Sequence, residues 1–286
     1  MSNEKGTLYV VATPIGNLGD ITYRAVEVLA KVDRIAAEDT RHSRRLLQHY
    51  GISTPCFSLH EYNERQLSTK LVNDLLNGVS IALISDAGTP LVSDPGFPLV
   101  REARDRGVKV VPIPGPSALI TALSISGLPS DRFIFEGFLP SKSIARRQRL
   151  EILSSETRTL IFYESPHRIV ECLSDMSQIL GEQRPAVVAR ELTKTFESAV
   201  GDPLNRLCSW IEENVQQQKG EFVILVHGAE ERTELETLDA ETVRSLKILL
   251  EELPVKQAVA LGAKITGAKK NRLYQLALEL SKSSQE

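Results

Sequence analysis

The stretch SIALISDAGTPLVSDPG, residues 80–96, joins an apolar run to a loop of distinctive composition. Its first five residues predict a buried β-strand, because apolar side chains follow one another without polar alternation. Residues 85–96 hold two Ser-Asp pairs, two prolines and two glycines, more hydrogen-bonding groups and constrained φ angles than a plain connection needs. We therefore predict a ligand-binding loop. In it Asp86 accepts hydrogen bonds from the ligand and the backbone at 88–89 cradles it, while Asp94 caps the next helix.

The same alternation of strand, loop and helix continues on both sides of this stretch. Apolar strands separated by helices are typical of an α/β fold with a largely buried sheet. An antiparallel strand is also expected in the second half, since 190–201 looks extended and follows the preceding strand without a crossover helix. The predicted strands cover 7–12, 34–37, 80–84, 108–112, 132–137, 159–163, 185–189 and 221–227, and helices are predicted at about 22–31, 66–76, 97–106 and 166–180.

Polar and glycine-rich strings follow several other predicted strands. They are TPIGNLGD at 13–20, EDTR at 38–41, PIPGPSA at 112–118, YESPHR at 163–168 and RELTK at 190–194. A tight turn or a helix cap explains each string taken singly. Open α/β sheets, however, bind ligands outside the carboxyl ends of their strands, and several such ends lie along one edge. We therefore predict that these strings converge on one site.

The composition excludes several classes of protein. The 286 residues carry 34 basic and 37 acidic side chains and are 42% apolar, which rules out disordered, collagen-like and coiled-coil chains. No run approaches the roughly 18 apolar residues of a membrane span, and the polar start does not resemble a signal peptide. Three widely spaced cysteines favour reduced thiols. We therefore expect a cytoplasmic location and no membrane partner.

Common catalytic and metal-binding patterns are missing from the sequence. There is no GxGxxG string after the first strand, no GxSxG nucleophile elbow and no GxxxxGK[ST] phosphate loop. The five histidines show no ligand spacing, so we predict no metal site. Dinucleotide, hydrolase and P-loop functions therefore receive no support.

The end of the chain differs from the rest. The acidic stretch 228–236 predicts a linker, and 238–286 shows three amphipathic helical segments with a helix-turn-helix look. Residues 237–286 carry eight basic and six acidic side chains, whereas 1–236 carry 26 and 31. The end of the chain is therefore locally basic and could contact phosphates through Lys256, Lys264, Lys269, Lys270 and Arg272.

A second basic cluster follows the string GFLP at 137–140. It consists of Lys142, Arg146, Arg147 and Arg149. A solvated helix face is the default explanation for such a cluster. A surface that contacts phosphates is the better interpretation once the basic C-terminal segment is considered.

Together these strings resemble the tetrapyrrole-methylase-type (class III) methyltransferases, which use S-adenosylmethionine. More narrowly, they are similar to the bacterial family that methylates the 2′-hydroxyl of a cytidine in small-subunit ribosomal RNA. The resembling strings are TPIGNLGD (13–20), EDTR (38–41), SDAGTPLVSDPG (85–96), PGPSA (114–118), GFLP (137–140), FYESPHR (162–168), RELTK (190–194), GEFV (220–223) and LPVKQAVALGAKITGAKKNRLYQLAL (253–278). The resemblance extends over nearly the whole chain.

The resemblance implies two α/β domains of the tetrapyrrole methylase type, 1–114 and 115–229, with S-adenosylmethionine in the cleft between them, and a small three-helix module at 238–286. It also implies a homodimer. The implied partner is 16S ribosomal RNA or the small ribosomal subunit, methylated on a cytidine of the decoding region. Carried over position by position, cofactor contacts fall on Pro14, Ile15, Gly16, Asp86, Ala87, Gly88, Thr89, Ser117, Ala118, Phe162, Tyr163, Ala189 and Arg190.

Methylation of a ribose adds a chemical requirement of its own. A ribose hydroxyl is a poor nucleophile until its proton is leaving, so a nearby base should help. The candidates are Glu38, Asp39, Glu191 and Lys194, and the residues alone do not choose among them. Arg41 or Arg190 would instead hold a phosphate, which makes Arg41 a further RNA-binding candidate.

Two other functions fit parts of this pattern. A tetrapyrrole or other small-molecule methylase would share the cofactor cleft, but it has no use for a basic helical segment after residue 237. A non-enzymatic RNA- or ribosome-binding protein would explain both basic regions, but it leaves the loop at 85–96 without a purpose. Deleting 238–286 distinguishes these functions from RNA methylation.

Overall fold

A computed structural model describes residues 5–230 and 240–283. The chain forms two compact units, Met1–Ala229 and Glu230–Glu286. No described helix combines the length and the apolar character that crossing a bilayer demands. Part of the predicted linker at 228–236 lies outside the described residues. The domain boundaries at 114/115 and 238 stay a prediction.

The first half of the larger unit is a parallel five-stranded sheet with strand order β3-β2-β4-β1-β5. Its central strand β4 is buried along its whole length, and apolar clusters cover both faces of the sheet. Its strands are β1 (Thr7–Val11), β2 (Arg34–Ala37), β3 (Cys56–Ser58), β4 (Ile81–Ile84) and β5 (Lys109–Ile113), and its helices are α1 (Tyr23–Lys31), α2 (Thr40–His49), α3 (Glu64–Leu76) and α4 (Phe97–Asp105). The predicted α/β fold is confirmed, and the three-residue strand β3 escaped the sequence analysis.

The second half contains a mixed sheet with strand order β6-β7-β10-β8-β9. Strands β6 and β7 are parallel, whereas β10 runs antiparallel to both β7 and β8, and β9 antiparallel to β8. The elements are β6 (Phe133–Phe138), β7 (Thr159–Glu164), β8 (Pro185–Arg190), β9 (Ser198–Pro203) and β10 (Phe222–Val226), with helices α5 (Ala118–Ser126), α6 (Ser143–Leu153), α7 (Ile169–Leu180) and α8 (Leu204–Glu213). The expected antiparallel strand is present.

That antiparallel strand begins later than predicted. The prediction placed it over 190–201, but β9 starts at Ser198. Between β8 and β9 the backbone of Glu191 and Thr193 takes positive φ angles of 50° and 66°, which an extended strand does not allow. Residues 191–197 therefore form a loop at the end of β8.

An apolar cluster joins the two sheets. Ile15, which follows β1, and Leu119 and Leu123 of α5 pack against strands of the second sheet through Ile161 and Val223. These side chains are at most 8% exposed, so the contact excludes water and holds the two sheets in one body. The carboxyl ends of β1, β2 and β4 consequently face the second sheet across a defined gap.

The smaller unit is a three-helix arrangement. Its helices are α9 (Ala240–Glu252), α10 (Val255–Thr266) and α11 (Lys270–Ser283). Leu246, Ala258 and Leu273 form its core, and a Cβ at Gly262 would lie 3.4 Å from the Leu273 side chain, so the helices approach closely there. The three predicted helical segments are confirmed.

Candidate functional site

A cavity of about 350 Å³ lies where the two sheets meet. The carboxyl ends of β2 and β4 supply one wall, and the end of β7 supplies the other. Because β10 is antiparallel to β7, it starts where β7 ends, and Phe222 pairs with both Glu164 and Arg190 at this edge. The lining residues are Ile15, Glu38, Asp86 to Thr89, Val92, Ser93, Asp94, Ser117, Ala118, Phe138, Tyr163 to Pro166, Leu192 and Glu221 to Val223.

Three carboxyl groups concentrate negative charge in the cavity. The amide of Asp86 donates to Glu38 Oε2 over 3.3 Å, which ties two of the three together. Burial raises the pKa of Asp94 to about 6, with contributions from the charges of Glu38 and Asp86 and opposition from a hydrogen bond to Ser85. Burial also raises the pKa of Glu38, reinforced by its acidic neighbours. These shifts indicate a cavity that favours a cationic ligand.

The three carboxyls have no cationic partner in the described part of the chain. No lysine or arginine there forms an ion pair with Glu38, Asp86 or Asp94. Gly96, not Asp94, occupies the N-cap position of α4, and no side chain caps this helix. The expectation that Asp94 caps α4 was therefore wrong. Its carboxyl lies at the cavity, where a ligand can reach it.

Glycine at position 88 allows the loop 85–96 to approach β1. The amides of Thr13 and Gly88 exchange hydrogen bonds of 2.8 and 3.0 Å with each other's carbonyls, at a Gly88 φ of +81°. Any other residue is strained at that angle. Thr89 Oγ1 donates to the carbonyl of Pro116 over 3.0 Å. The loop is thus pinned to both neighbouring segments, which leaves its lining surface preorganised.

Backbone strain is concentrated beside the cavity. The four described non-glycine residues with positive φ are Leu91, Ser93, Glu191 and Thr193. They flank Val92 and Leu192, which line the cavity from opposite sheets. Such conformations cost about 1–3 kcal/mol each and persist where the surrounding structure imposes them, often at ligand sites.

Tyr163 links the second sheet to the start of α5. Its hydroxyl accepts a hydrogen bond from the amide of Leu119 over 3.2 Å, and its ring makes edge contacts with Phe135 and Phe138. Ser117, at the N-cap position of α5, makes no side-chain cap and lines the cavity instead. In the first turn of α5 the Leu119 amide is therefore occupied by Tyr163, whereas Ser117 and Ala118 line the cavity, where a ligand can reach them.

Most of the predicted cofactor-contact residues lie at this cavity. Ile15, Asp86, Ala87, Gly88, Thr89, Ser117, Ala118 and Tyr163 line it. Pro14 and Gly16 line a neighbouring cavity. Phe162 and Ala189 are fully buried in apolar clusters, and the guanidinium of Arg190 donates to the carbonyls of Lys219 and Phe196 over 2.6 and 3.1 Å. These last three positions support the cavity from behind.

The four base candidates have different surroundings. Glu38 lines the cavity. Asp39 caps α2, and hydrogen bonds from Arg41 lower its pKa to about 2. Burial lowers the pKa of Lys194, but the hydrogen bonds that it donates to Glu191 and Glu221 outweigh burial and raise it. Burial raises the pKa of Glu191, but the hydrogen bonds from Lys194 and the Glu221 amide outweigh burial and lower it.

The sequence analysis did not name several lining residues as cofactor contacts, although most of them lie in strings that it predicted to converge on the site. They are Val92, Ser93, Asp94, Phe138, Glu164, Ser165, Pro166, Leu192, Glu221, Phe222 and Val223. The string GEFV at 220–223 was noted for its resemblance to the family. Its position at the cavity was not predicted, because it lies at the start of a strand and the other strings follow strand ends. Only the antiparallel direction of β10 brings it to the site. No group of three or more potential ligands within 5–230 or 240–283 is arranged to hold a metal ion.

The two basic regions are arranged differently. Arg146 is 1% exposed and pairs with Asp175 over 2.6 Å, Arg147 pairs with the same carboxylate, and Arg149 pairs with Glu136. Lys142 is exposed. In the smaller unit Lys256, Lys264, Lys269 and Lys270 are exposed and no described carboxylate pairs with them, while Arg272 is half-buried. Arg146 is therefore a structural cation, and the C-terminal lysines offer free charge.

Comparison with known proteins gives matches over both units. Residues 7–208 match the family model of Tetrapyrrole (Corrin/Porphyrin) Methylases, and 236–281 match the RsmI C-terminal HTH domain. The chain is 59% identical over 272 residues to the Ribosomal RNA small subunit methyltransferase I of Vibrio cholerae, covering 95% of this chain and 94% of the relative. The protein of the same name from Pseudomonas aeruginosa is 57% identical over 274 residues, covering 96% and 97%.

Solved structures share the fold at low sequence identity. A diphthine synthase matches with a TM-score of 0.58 and 17% identity, covering 78% of this chain and 90% of its own. A uroporphyrin-III-C-methyltransferase from Thermus thermophilus matches with a TM-score of 0.52 and 17% identity, covering 78% and 94%. The predicted tetrapyrrole methylase fold is therefore confirmed. This chain belongs to the tetrapyrrole methylase family and, within it, to the ribosomal RNA small subunit methyltransferase I family.

Proposed function

We propose that this protein transfers a methyl group from S-adenosylmethionine to the 2′-hydroxyl of a cytidine in the decoding region of 16S ribosomal RNA. The observation that carries the proposal is the cavity with three carboxyls that no described cation neutralises. Family membership supports it, because the curated relatives bear the name of a small-subunit ribosomal RNA methyltransferase. The exposed lysines of the C-terminal unit supply charge for the RNA.

The cavity has the chemistry that S-adenosylmethionine requires. Its volume of about 350 Å³ falls in the usual range for small-molecule sites. Asp86 and Asp94 would hold the ammonium and sulfonium charges, and the amides beside Gly88 and at the start of α5 would bind its carboxylate and polar edges. Ile15, Leu192 and Val223 would cover the adenine ring with apolar surface.

The bound sulfonium supplies an electrophilic methyl group, whose carbon–sulfur bond breaks as the ribose oxygen–carbon bond forms. The chain must hold the acceptor in line and receive the hydroxyl proton. Glu38 is the best placed of the four base candidates, because it lines the cavity and its pKa is raised. Asp39, with its pKa of about 2, is a weak base, and a raised pKa keeps Lys194 protonated.

Replacing Glu38 tests this assignment. A general base contributes about 10²–10⁴-fold to a rate, so Glu38→Gln should lower the turnover number by at least that lower bound. The measurement is single-turnover transfer of labelled methyl groups to small subunits at saturating S-adenosylmethionine. A turnover number within a few-fold of wild type would mean that alignment alone suffices.

Cofactor binding is the first experiment for the proposed function as a whole. Titration calorimetry with S-adenosylmethionine should give saturable binding to the wild type and about tenfold weaker binding to Asp86→Ala, since a hydrogen bond to a charged group is lost. Methyl transfer to small subunits that lack the modification would then complete the assignment. Absence of cofactor binding even with small subunits present would favour the non-enzymatic RNA-binding function.

The C-terminal unit is proposed to bind RNA phosphates. Lys256, Lys264, Lys269 and Lys270 carry this role, together with Arg272, and exposed Arg41 and Lys142 add to it from the larger unit. Deleting 238–286 should weaken binding to small subunits and leave the affinity for S-adenosylmethionine unchanged. Undiminished RNA methylation by the truncated protein would contradict the role of this unit.

The oligomeric state, the location and the domain boundaries complete the proposal. Family resemblance supports a cytoplasmic homodimer in which 1–114 and 115–229 form the two cofactor-binding domains. Sedimentation equilibrium of the purified chain, 31.6 kDa per subunit, measures the oligomeric state directly. A single species at the monomer mass would contradict the dimer.

A further inference from the structure

A second cavity of about 200 Å³ adjoins the first. It lies between the turn after β1 and the first turns of α2, and Asp86 lines both cavities. Its other lining residues are Thr13, Pro14, Gly16, Leu18, His42, Ser43, Arg45, Leu46 and Ser85. A molecule bound here would therefore touch the same carboxylate as a ligand in the first cavity.

The hydroxyl of Ser43 is left without a partner at the wall of this second cavity. Ser43 is 3% exposed, and its Oγ forms no hydrogen bond within the described chain. A serine inside a helix often bonds back to the carbonyl four residues earlier, but here only the amide of Ser43 reaches Asp39 O, over 3.0 Å. An unpaired buried hydroxyl costs about 1–3 kcal/mol, so a bound group that supplies a partner would recover that energy.

An imidazole and a guanidinium stand at the mouth of the second cavity. His42 and Arg45 are exposed, lie three residues apart on α2 and therefore share a face of the helix. No described carboxylate forms an ion pair with Arg45. The mouth thus suits a phosphate group.

The walls of the second cavity are mainly apolar. Pro14, Leu18 and Leu46 supply flat and aliphatic surface of the kind that covers an aromatic ring. Ser43 and Asp86 are among the polar residues that line this cavity. A serine hydroxyl can bond to either kind of base edge.

We propose that this second cavity binds the acceptor nucleotide, extruded from the RNA, with its pyrimidine ring between the apolar walls and its phosphate at His42 and Arg45. The inference rests on the proposed function and adds the position of the acceptor nucleotide. Enzymes that modify a nucleotide inside structured RNA commonly take it out of the stack and read its exposed edge in a pocket. The shared Asp86 then lies where the acceptor site meets the donor site, which brings the ribose next to the methyl donor.

Binding of cytidine 5′-monophosphate tests the cavity without any methyl transfer. Saturation-transfer NMR with the full-length protein should detect the nucleotide on the wild type. Ser43→Leu, which fills the cavity, and Arg45→Ala, which removes the phosphate contact, should each weaken the binding by about fivefold or more. Arg44→Ala is the matched control, because this exposed arginine is on the same helix and does not line the cavity. It should bind as the wild type does.

The same variants are then compared in methyl transfer to unmodified small subunits. Ser43→Leu and Arg45→Ala should raise the KM for small subunits or lower kcat/KM by about fivefold or more, with the Kd for S-adenosylmethionine within about twofold of wild type. Because Arg45 is exposed, its variant stays informative even if Ser43→Leu fails to fold.

The outcomes separate this inference from the proposed function. Nucleotide binding that is absent in the wild type, or equal in all four proteins, would overturn the acceptor site while cofactor binding and methyl transfer stand. Nucleotide binding that depends on Ser43 and Arg45, in a protein that methylates no RNA, would uphold the site and overturn the proposed function.

Discussion

Two clusters of like charge stand out in this protein, one basic and one acidic. They differ in whether the fold supplies opposite charges to them. The arginines of α6 lie close together along the chain, and the acids of the cavity follow β2 and β4. Folding gives the arginines partners, since Arg146 and Arg147 share Asp175 and Arg149 meets Glu136. It brings the acids together without giving them any described cation.

The difference shows how to tell a structural charge from a functional one. A buried charge is tolerated when an opposite charge in the same chain offsets its desolvation. Removing either partner leaves the other with the full cost of desolvation. In the acidic cavity, burial and the neighbouring carboxylates raise the pKa of Glu38 and of Asp94, which favours a cationic ligand. Both regions show several like charges in the sequence. They differ in whether the folded chain supplies opposite charges to neutralise them.

The largest effect is expected from breaking the compensated cluster. Arg146→Ala leaves Asp175, whose side chain is 7% exposed, without its shortest ion pair. Removing one partner of a buried pair costs about 3–5 kcal/mol, so the free energy of unfolding should fall by about that amount. Urea denaturation followed by circular dichroism measures it.

Arg132→Ala is the control for that experiment, since Arg132 is exposed and pairs only with exposed Asp131. Its effect should stay below about 1 kcal/mol. Equal losses in the two variants would mean that the buried pair has no special weight.

An intermediate effect is expected from the uncompensated cluster. Since the pKa of Asp94 is about 6, this carboxyl gains a proton as the pH falls through 6 and the cavity loses negative charge. The affinity for S-adenosylmethionine should therefore fall below about pH 6. Asp94→Asn should bind about tenfold more weakly at neutral pH and show a flatter pH dependence by calorimetry. Identical profiles would exclude Asp94 from cofactor binding.

The stability of the cofactor-free protein should respond in the opposite direction. The pKa of Asp94 is raised on folding from its ordinary value of 3.8 to about 6, so its contribution to stability is complete below the lower value and is lost as the pH rises through the upper one. Asp94→Asn should therefore melt at a higher temperature than wild type above pH 6, and the difference should shrink toward acid pH. Differential scanning calorimetry without cofactor checks the sign.

The smallest effect is expected from the exposed part of the compensated cluster. Arg147 already pairs with Asp175, so Arg147→Gln should change the affinity for small subunits by less than about twofold. Lys270→Gln, at an exposed lysine, should weaken binding and reduce the salt dependence by about one counterion. Filter binding at several salt concentrations compares them. A larger loss of affinity for Arg147→Gln than for Lys270→Gln would indicate that α6 contacts the RNA.

Local pattern predicted much of the fold. The strands that became β1, β2, β4 and β10 were placed within a residue or so, because buried strands are continuous apolar runs. The two misplacements have local causes. Strand β3 has only three half-buried residues, and β9 is delayed by positive φ angles at residues 191 and 193 that no residue type there predicts.

Part of the site was predictable, and part was not. Asp86 and the backbone at 88–89 were predicted because loops at strand ends carry many polar groups, whereas Ala87 and Ser117 were implied by the family resemblance. Asp94 was assigned to a helix cap, and only the tertiary structure shows that α4 starts after Gly96 and leaves the carboxyl to the cavity. Glu221 and Val223 were missed, since their role follows from the direction of β10 in the sheet.

The sequence by itself determined the α/β alternation, the strand-end loops, the helical character of the C-terminal unit and its basic charge. These are local properties, set by side-chain periodicity and composition within a few residues. The tertiary structure alone decided which charges are neutralised. Arg146 meets a carboxylate 29 residues away, whereas Glu38 meets Asp86 across 48 residues and neither forms an ion pair with a described lysine or arginine. Such pairings depend on sheet order and helix packing, because Coulomb and desolvation energies are set by distance in space and by burial, not by distance along the chain.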